Sequence, residues 1–373
     1  TRKRPHKVRV NFHKNRSSRA RQQNLTHKAL DDLEAAADLQ RSERLTGKGN
    51  VSRKRTVLTT ASETGEEQLA VDESTTVRGR VLRAIGANHC RVQLADGATL
   101  DCSVRRLVRT LARDARNAVV VGDEVCVEQS GPQNGVIVRV EPRRSTLSRG
   151  SDRHEHMIAA NIDQSVIVVS AAEPPIKPAL VDRFLVSAEK GNVRPIVCIS
   201  KADLVERGEL QPIAAIYASI GYDVVLTSIH TGEGVDALRG LLTGKVSVLT
   251  GQSGVGKSSL INAVDPALDL RTAHVSADSG KGRHTTRVAA LLPLSTGGWI
   301  VDTPGIRQMQ LWDVAPGEVE AYFRDFLAYV PHCRFPDCTH THESDCAVKS
   351  AVERGEIAPL RYQGYLRIIL GDD

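Results

Sequence analysis

Between residues 76 and 142 the chain alternates apolar and polar positions in short runs: Val77–Leu82, Cys90–Leu94, Val119–Glu128 and Val136–Val140. A period of two is the signature of half-buried strands. Asp96-Gly97 supplies a hairpin turn between two of them, and Asn134-Gly135 is a candidate for a second. Short strands at this spacing predict a small β-barrel of the five-stranded OB type. From Gln164 the pattern changes. Val166–Val169, Ile196–Ile199, Val224–Leu226 and Val246–Leu249 are continuous apolar runs, as strands buried on both faces require. Between them Leu180, Val181, Phe184, Leu185 and Ala188 mark one helix face, and further helices are expected near Leu210–Ile220 and Val235–Leu242. Strands alternating with helices predict an α/β domain with a mainly parallel sheet. Near the C-terminus, Val319, Tyr322, Phe323 and Phe326, then Ala347–Arg354, predict helices around a Cys/His-rich loop, with Arg354, Arg361, Tyr362 and Tyr365 placed to reach a partner.

The first 75 residues carry no such pattern. They are basic and polar, too poor in large apolar residues to bury a core, and are expected to be a largely disordered arm. Leu25–Leu45 could form a helix on a partner. The expected division is therefore an arm over residues 1–75, a barrel over 76–148, an α/β domain over 149–315 and a C-terminal module over 316–373, with Glu141–Asp163 as a linker.

Composition sharpens the choice of partner. The net charge is +6, yet residues 1–58 hold 16 Lys/Arg against 5 Asp/Glu, so a strongly basic arm sits on a mildly acidic body. That asymmetry is the footprint of a nucleic-acid partner. The barrel stretch contains no Phe, Tyr or Trp, which argues against a base-stacking platform. Contacts to RNA would instead run from Arg105, Arg106, Arg109 and Arg113 to backbone phosphates. No apolar run approaches the length of a membrane span. A cytoplasmic monomer without membrane contact is expected. Seven cysteines, three of them clustered beside histidines, point to reduced thiols and a metal, whereas Cys90, Cys102 and Cys126 read as small core residues.

The chemistry is concentrated in a few motifs. After the Val246–Leu249 run, Gly251-Gln252-Ser253-Gly254-Val255-Gly256-Lys257-Ser258 fits G-x-x-x-x-G-K-[ST], and Ser259 continues into an amphipathic helix. In this strand–loop–helix setting the glycines let successive N–H groups point at phosphate oxygens, Lys257 would reach the β/γ-phosphates, and Ser258 would ligate Mg²⁺. Ser200-Lys201-Ala202-Asp203 resembles the [NT]-K-x-D element of GTPases, in which the Asp accepts from two guanine donors that adenine lacks. Ser200 stands where asparagine is usual, and the amide that ties the base loop to the phosphate loop is expected to be lost with it. Thr227-Ser228-Ile229 occupies the place of a second base-contacting element. Asp302-Thr303-Pro304-Gly305 matches D-x-x-G, with Asp302 on the Mg²⁺ shell and the Gly305 amide sensing the γ-phosphate. Between these lies Gly280–Thr286, in which Thr285 or Thr286 would complete the Mg²⁺ shell. Ile306 cannot orient a water, so His284 is the candidate for that role.

The order is unusual: base motifs first, phosphate loop next, D-x-x-G last. This predicts a circularly permuted GTPase domain whose chain exits just beyond Gly305, tethering the C-terminal module to a nucleotide-sensing segment. That module carries Cys333-x4-Cys338-x-His340-x5-Cys346, a closed Cys₃His set of the kind that holds structural zinc, with His332 and His342 as alternative ligands.

SKAD, GQSGVGKSS, GRHTT, DTPGI and CRFPDCTHTHESDC, in that order, resemble the ribosome small subunit-dependent GTPase A (RsgA/YjeQ) family of circularly permuted GTPases. The resemblance runs from about Val77 to Leu370. It implies an N-terminal OB-fold, the permuted P-loop GTPase domain and a C-terminal α-helical zinc domain with Cys333, Cys338, His340 and Cys346 as ligands. It also implies slow GTP hydrolysis that rises on the small (30S) ribosomal subunit, contact with 16S rRNA, a role in late subunit maturation, and GTP/GDP as ligands. The competing readings are an RNA-binding module that keeps the nucleotide as a structural ligand, and a P-loop ATPase or kinase.

Overall fold

The computed structural model describes residues 6–11, 54–61, 67–85, 88–111, 118–149, 156–270, 289–302, 314 and 316–371. Two compact units divide at Ala70/Val71. In the first, β1 (His6–Asn11), β2 (Lys54–Ala61) and β3 (Glu67–Leu69) form an antiparallel sheet in that order, with Val8 opposite Val57. This differs from the disordered arm expected above. The alternation of Val8 and Val10 with charged neighbours is strand-like, and the charged composition conceals it. The helix expected over residues 25–45 lies outside the described residues.

The second unit opens with β4 (Thr76–Ile85), β5 (His89–Leu94), β6 (Thr99–Val104), β7 (Glu124–Gln129) and β8 (Asn134–Val140). Their order is β4-β5-β6-β8-β7, and β7 pairs back onto β4, which closes a barrel. Only the β6–β8 pair is parallel, and helix α1 (Arg106–Leu111) follows β6, the arrangement of an OB-fold. Alternation drives the closure: Leu100, Cys102 and Val104 point inward while the residues between them face out. Burial pushes the Cys90, Cys102 and Cys126 thiols up to about 12, 11 and 11, so they are inert core residues. Arg105 pairs with Glu128 at 2.6 Å across exposed side chains, and Arg109 donates to the neutral amide oxygen of Asn88 and keeps its charge. Arg113 lies outside the described residues.

The expected linker is a packed seam. Here β9 (Thr146–Arg149) and β10 (His156–Ala160) pair antiparallel, and Leu147, Ala159 and Ile162 are buried against the next domain. Buried Asp123, whose carboxyl burial pushes up, takes two bonds from Arg143 at 2.6 and 2.8 Å.

The α/β domain runs through β11 (Gln164–Ser170), α2 (Pro178–Lys190), β12 (Arg194–Ser200), α3 (Arg207–Ser219), β13 (Asp223–Leu226), α4 (Val235–Leu242), β14 (Val246–Thr250), α5 (Lys257–Val264), β15 (Ala290–Pro293) and β16 (Trp299–Asp302). The strand order is β13-β12-β11-β14-β16-β15, parallel except for β15, and β15 touches β4 of the barrel through Ala290 and Arg83. Strand period two divides the core between two faces. Val166 and Val168 pack with Leu238 and Leu260, whereas Ile167 and Val169 pack with Leu185 and Tyr217. Helices therefore cover both faces.

The C-terminal module begins with a 3₁₀ turn over Pro316–Tyr322 and ends with α6 (Ala347–Glu353) and α7 (Pro359–Leu370). Its core of Val319, Phe323, Phe326 and Tyr365 includes Val186 of α2. Arg361 and Tyr365 do not reach outward as expected: each is only 1% exposed. Arg361 bonds Asp182 of α2 and holds Asp325 through two nitrogens at 3.1 and 2.9 Å. Its guanidinium lies 4.4 Å from the Phe323 ring centre, and burial lifts Asp182 to about 6.

Candidate nucleotide site and metal centre

The nucleotide motifs meet at the carboxyl ends of neighbouring strands, the usual ligand edge of an open α/β sheet. After β14 the chain turns through Gly251 at φ +134°, where a Cβ would stand 2.1 Å from the Val168 carbonyl oxygen. Only glycine lets the loop leave the strand so close to β11. Val255 is buried and anchors the loop, Ser253 and Gly254 are exposed, and left-handed Gly256 caps α5. The Lys257 ammonium folds over the loop and donates to the Gly251 and Gln252 carbonyls, both at 2.7 Å. Ser258 and Ser259 sit half-buried in the first turn of α5.

On the base side, the Ser200 hydroxyl is buried 2.6 Å from the Val255 carbonyl oxygen and 2.9 Å from that of Val169. The serine thus keeps the tie between base loop and phosphate loop that was expected to vanish with the asparagine amide. Its one proton is shared between two acceptors, but the contact is made. Removing it leaves a buried carbonyl unpaired, at a cost of about 1–1.5 kcal/mol. Ser200→Ala is therefore expected to weaken GDP binding about tenfold by titration calorimetry, and Ser200→Asn to restore it. Equal affinities for Ser200→Ala and the parent would show that the tie does not support the base loop.

Lys201, in a left-handed conformation, donates to the Gly254 carbonyl at 3.0 Å and to the Glu173 carbonyl. Ala202 N–H donates to the Thr227 carbonyl at 3.1 Å, which joins the two base loops. The Ser228 hydroxyl donates to the Asp203 carboxylate and holds it below the usual carboxylate range. An ionised, exposed acceptor is what a pair of guanine donors requires. The Ser228 oxygen accepts in turn from the His230 and Thr231 amides, both at 3.2 Å. Asp302 closes β16, directly after Val301, which pairs with Val248 of β14. His284, Thr285, Thr286, Gly305 and Ile306 lie outside the described residues.

In the C-terminal module the ligand atoms of Cys333, Cys338, His340 and Cys346 all lie within 4.8 Å of one another. The Cys333 and Cys346 sulfurs are 4.0 Å apart, and His340 Nδ1 is 3.5 and 3.4 Å from them. Metal–sulfur and metal–nitrogen bonds of about 2.3 and 2.0 Å give tetrahedral edges of roughly 3.5–3.8 Å, so the donor set fits one tetrahedral ion. His342 is 85% exposed on its side chain and stands outside the cluster. Left-handed backbone at His340, together with hydrogen bonds from Tyr362 to the His340 carbonyl (2.7 Å) and from Tyr365 to the Thr339 carbonyl (2.9 Å), fixes the ligand loop. Glu343 accepts from the Thr339 amide and hydroxyl at 2.7 and 2.6 Å and from the Thr341 amide at 3.0 Å. Glu320 Oε2 lies 2.8 Å from His340 Nε2.

Residues 140–312 match the family model described as RsgA GTPase. A protein of Gemmatimonas aurantiaca named small ribosomal subunit biogenesis GTPase RsgA is 41% identical over 300 residues, covering 79% of this chain and 97% of the relative. The chain belongs to the RsgA GTPase family. A Chlorobaculum tepidum family member of the same name is 39% identical, again over 79% of this chain and 97% of its own length. Among solved structures, YjeQ from Thermotoga maritima is 35% identical with a TM-score of 0.66, covering 80% of this chain and all of that one. YloQ, described as a circularly permuted GTPase, is 30% identical with a TM-score of 0.62, covering 81% and 97%. The barrel, the permuted GTPase domain and the C-terminal Cys/His cluster are thus the architecture of the family. Glu173 and Glu320 escaped sequence reading: one acts through a backbone carbonyl, and the other lies twenty positions before its histidine and outside the Cys/His motif.

Proposed function

We propose that this protein hydrolyses GTP as an assembly factor of the small ribosomal subunit, with turnover that rises on the subunit and drives its own release late in maturation. The observation that carries the reading is the convergence of Ser200–Asp203, the phosphate loop and Asp302 on one sheet edge, in a chain whose relatives are named small ribosomal subunit biogenesis GTPases. In this reading Gly251–Ser259 cradle the phosphates, and Lys257 meets the β/γ oxygens. Ser258 and Asp302, with Thr285 or Thr286, would hold Mg²⁺, which supplies positive charge to the phosphates. Ser200, Lys201, Ala202, Asp203 and Ser228 read guanine. The Asp203 carboxylate finds no paired donors on adenine, which disfavours the ATPase and kinase alternatives. The Gly305 amide senses the γ-phosphate, and His284 orients water. Cys333, Cys338, His340 and Cys346 would hold one structural zinc ion with no open position. The basic arm favours 16S rRNA as the contact. Among the described residues no helix is long and apolar enough to cross a membrane.

Two measurements test this. GTP turnover is expected to rise on addition of purified small subunits; no rise would favour the RNA-binding module that only stores its nucleotide. Unlabelled GDP and GTP should displace fluorescent GDP, and ATP should not.

A further inference from the structure

The structure assigns Glu320 as a positioning residue of the metal centre: it accepts the Nε2 proton of His340 and turns Nδ1 toward the sulfurs. The inference rests on the metal reading of the Cys/His cluster. A carboxylate oxygen 2.8 Å from Nε2 is placed to accept from the ring, which assigns the ring proton to Nε2. The Nδ1 lone pair then faces Cys333 and Cys346 at 3.5 and 3.4 Å, without a proton that metal binding would have to displace. His340 is fully buried, whereas the Glu320 side chain is one-third exposed, so the ring has no water of its own to settle its tautomer.

The location of Glu320 gives the contact a second meaning. It lies in the 3₁₀ turn Pro316–Tyr322, the first described element after β16 ends at Asp302. Two residues earlier, Glu318 pairs with Lys190 of α2 at 2.8 Å. A few residues later, Arg324 pairs with Glu189 at 2.7 Å and stacks on Tyr222. One short segment therefore holds the last turn of α2 through residues on either side of Glu320, and Glu320 itself holds the histidine of the cluster. The metal is fixed to the GTPase core through Glu320 as well as through packing.

The test uses the full chain with zinc as the probe. Chelator competition measures zinc affinity in the parent, Glu320→Gln and Glu320→Ala. The parent is expected to hold one zinc ion, Glu320→Ala to lose about 10–100-fold in affinity, and Glu320→Gln, whose amide oxygen still accepts, to stay close to the parent. Imidazole nitrogen shifts of the zinc-loaded parent should report Nε2–H and a metal-bound Nδ1, a readout that does not depend on any variant folding. Equal affinity in Glu320→Ala and the parent, equal loss in both variants, or an Nδ1–H tautomer would each overturn the assignment while leaving the metal reading intact. A parent that binds no metal would overturn both.

Discussion

Replacing Lys257 with alanine is expected to lower GTP turnover by about 10²–10³-fold, the loss seen when one preorganised donor to developing charge is removed. The ammonium rests 2.7 Å from the Gly251 and Gln252 carbonyls, so it already lies inside the loop that would receive the phosphates. The same variant takes a cross-brace from the loop, so GDP affinity should fall as well, but by less than turnover. Single-turnover hydrolysis and fluorescent-GDP titration separate the two effects. A fall of less than tenfold in turnover would remove Lys257 from the chemistry. Arginine is not expected to rescue, because its planar fork cannot fold into the same tight loop.

Arg361→Met is expected to destabilise the second unit by about 3–5 kcal/mol, because it leaves Asp182 and Asp325 as buried carboxylates without their cation. The melting temperature should drop by roughly 5–8 °C in a body of this size. Asp182 pays most: its Oδ2 has no hydrogen-bond partner among the described residues, and its Oδ1 is shared by Arg361 and Tyr217. Adding Asp182→Asn and Asp325→Asn to Arg361→Met should return most of the loss, since replacing a whole buried ion network is close to neutral. Thermal melts of the single and triple variants decide the point. A triple variant no better than the single one would mean that the guanidinium acts by packing on Phe323 and not by charge. Gly364 belongs to the same contact: a Cβ there would lie 1.8 Å from Asp182 Oδ2, so α7 can approach α2 only with glycine at this position.

The phosphate loop, Ser200–Asp203, Asp302 and the Cys/His cluster were legible because each is a local pattern whose chemistry fixes residue type and spacing. The parallel strands were legible for the same reason, as unbroken apolar runs. What failed was long-range. Arg361 reads as a cation placed to reach a partner outside the chain, and Asp182, which it bonds, is 179 positions away. Ser200 reads as a weakened asparagine, and only the fold shows its hydroxyl within reach of Val255. The seam at 141–163 was misread as a linker because Leu147, Ala159 and Ile162 are too sparse to form a period.

The strand order also decides from which side this GTPase can be approached. The loops that hold the base leave β12 and β13 at one flank of the sheet, and the barrel joins at β15 on the other. Neighbouring strands stand about 4.8 Å apart, so roughly 24–29 Å separate the guanine loops from β4. A partner seated on the barrel would therefore meet the β15–β16 flank of the sheet, next to Asp302, before it met the guanine loops.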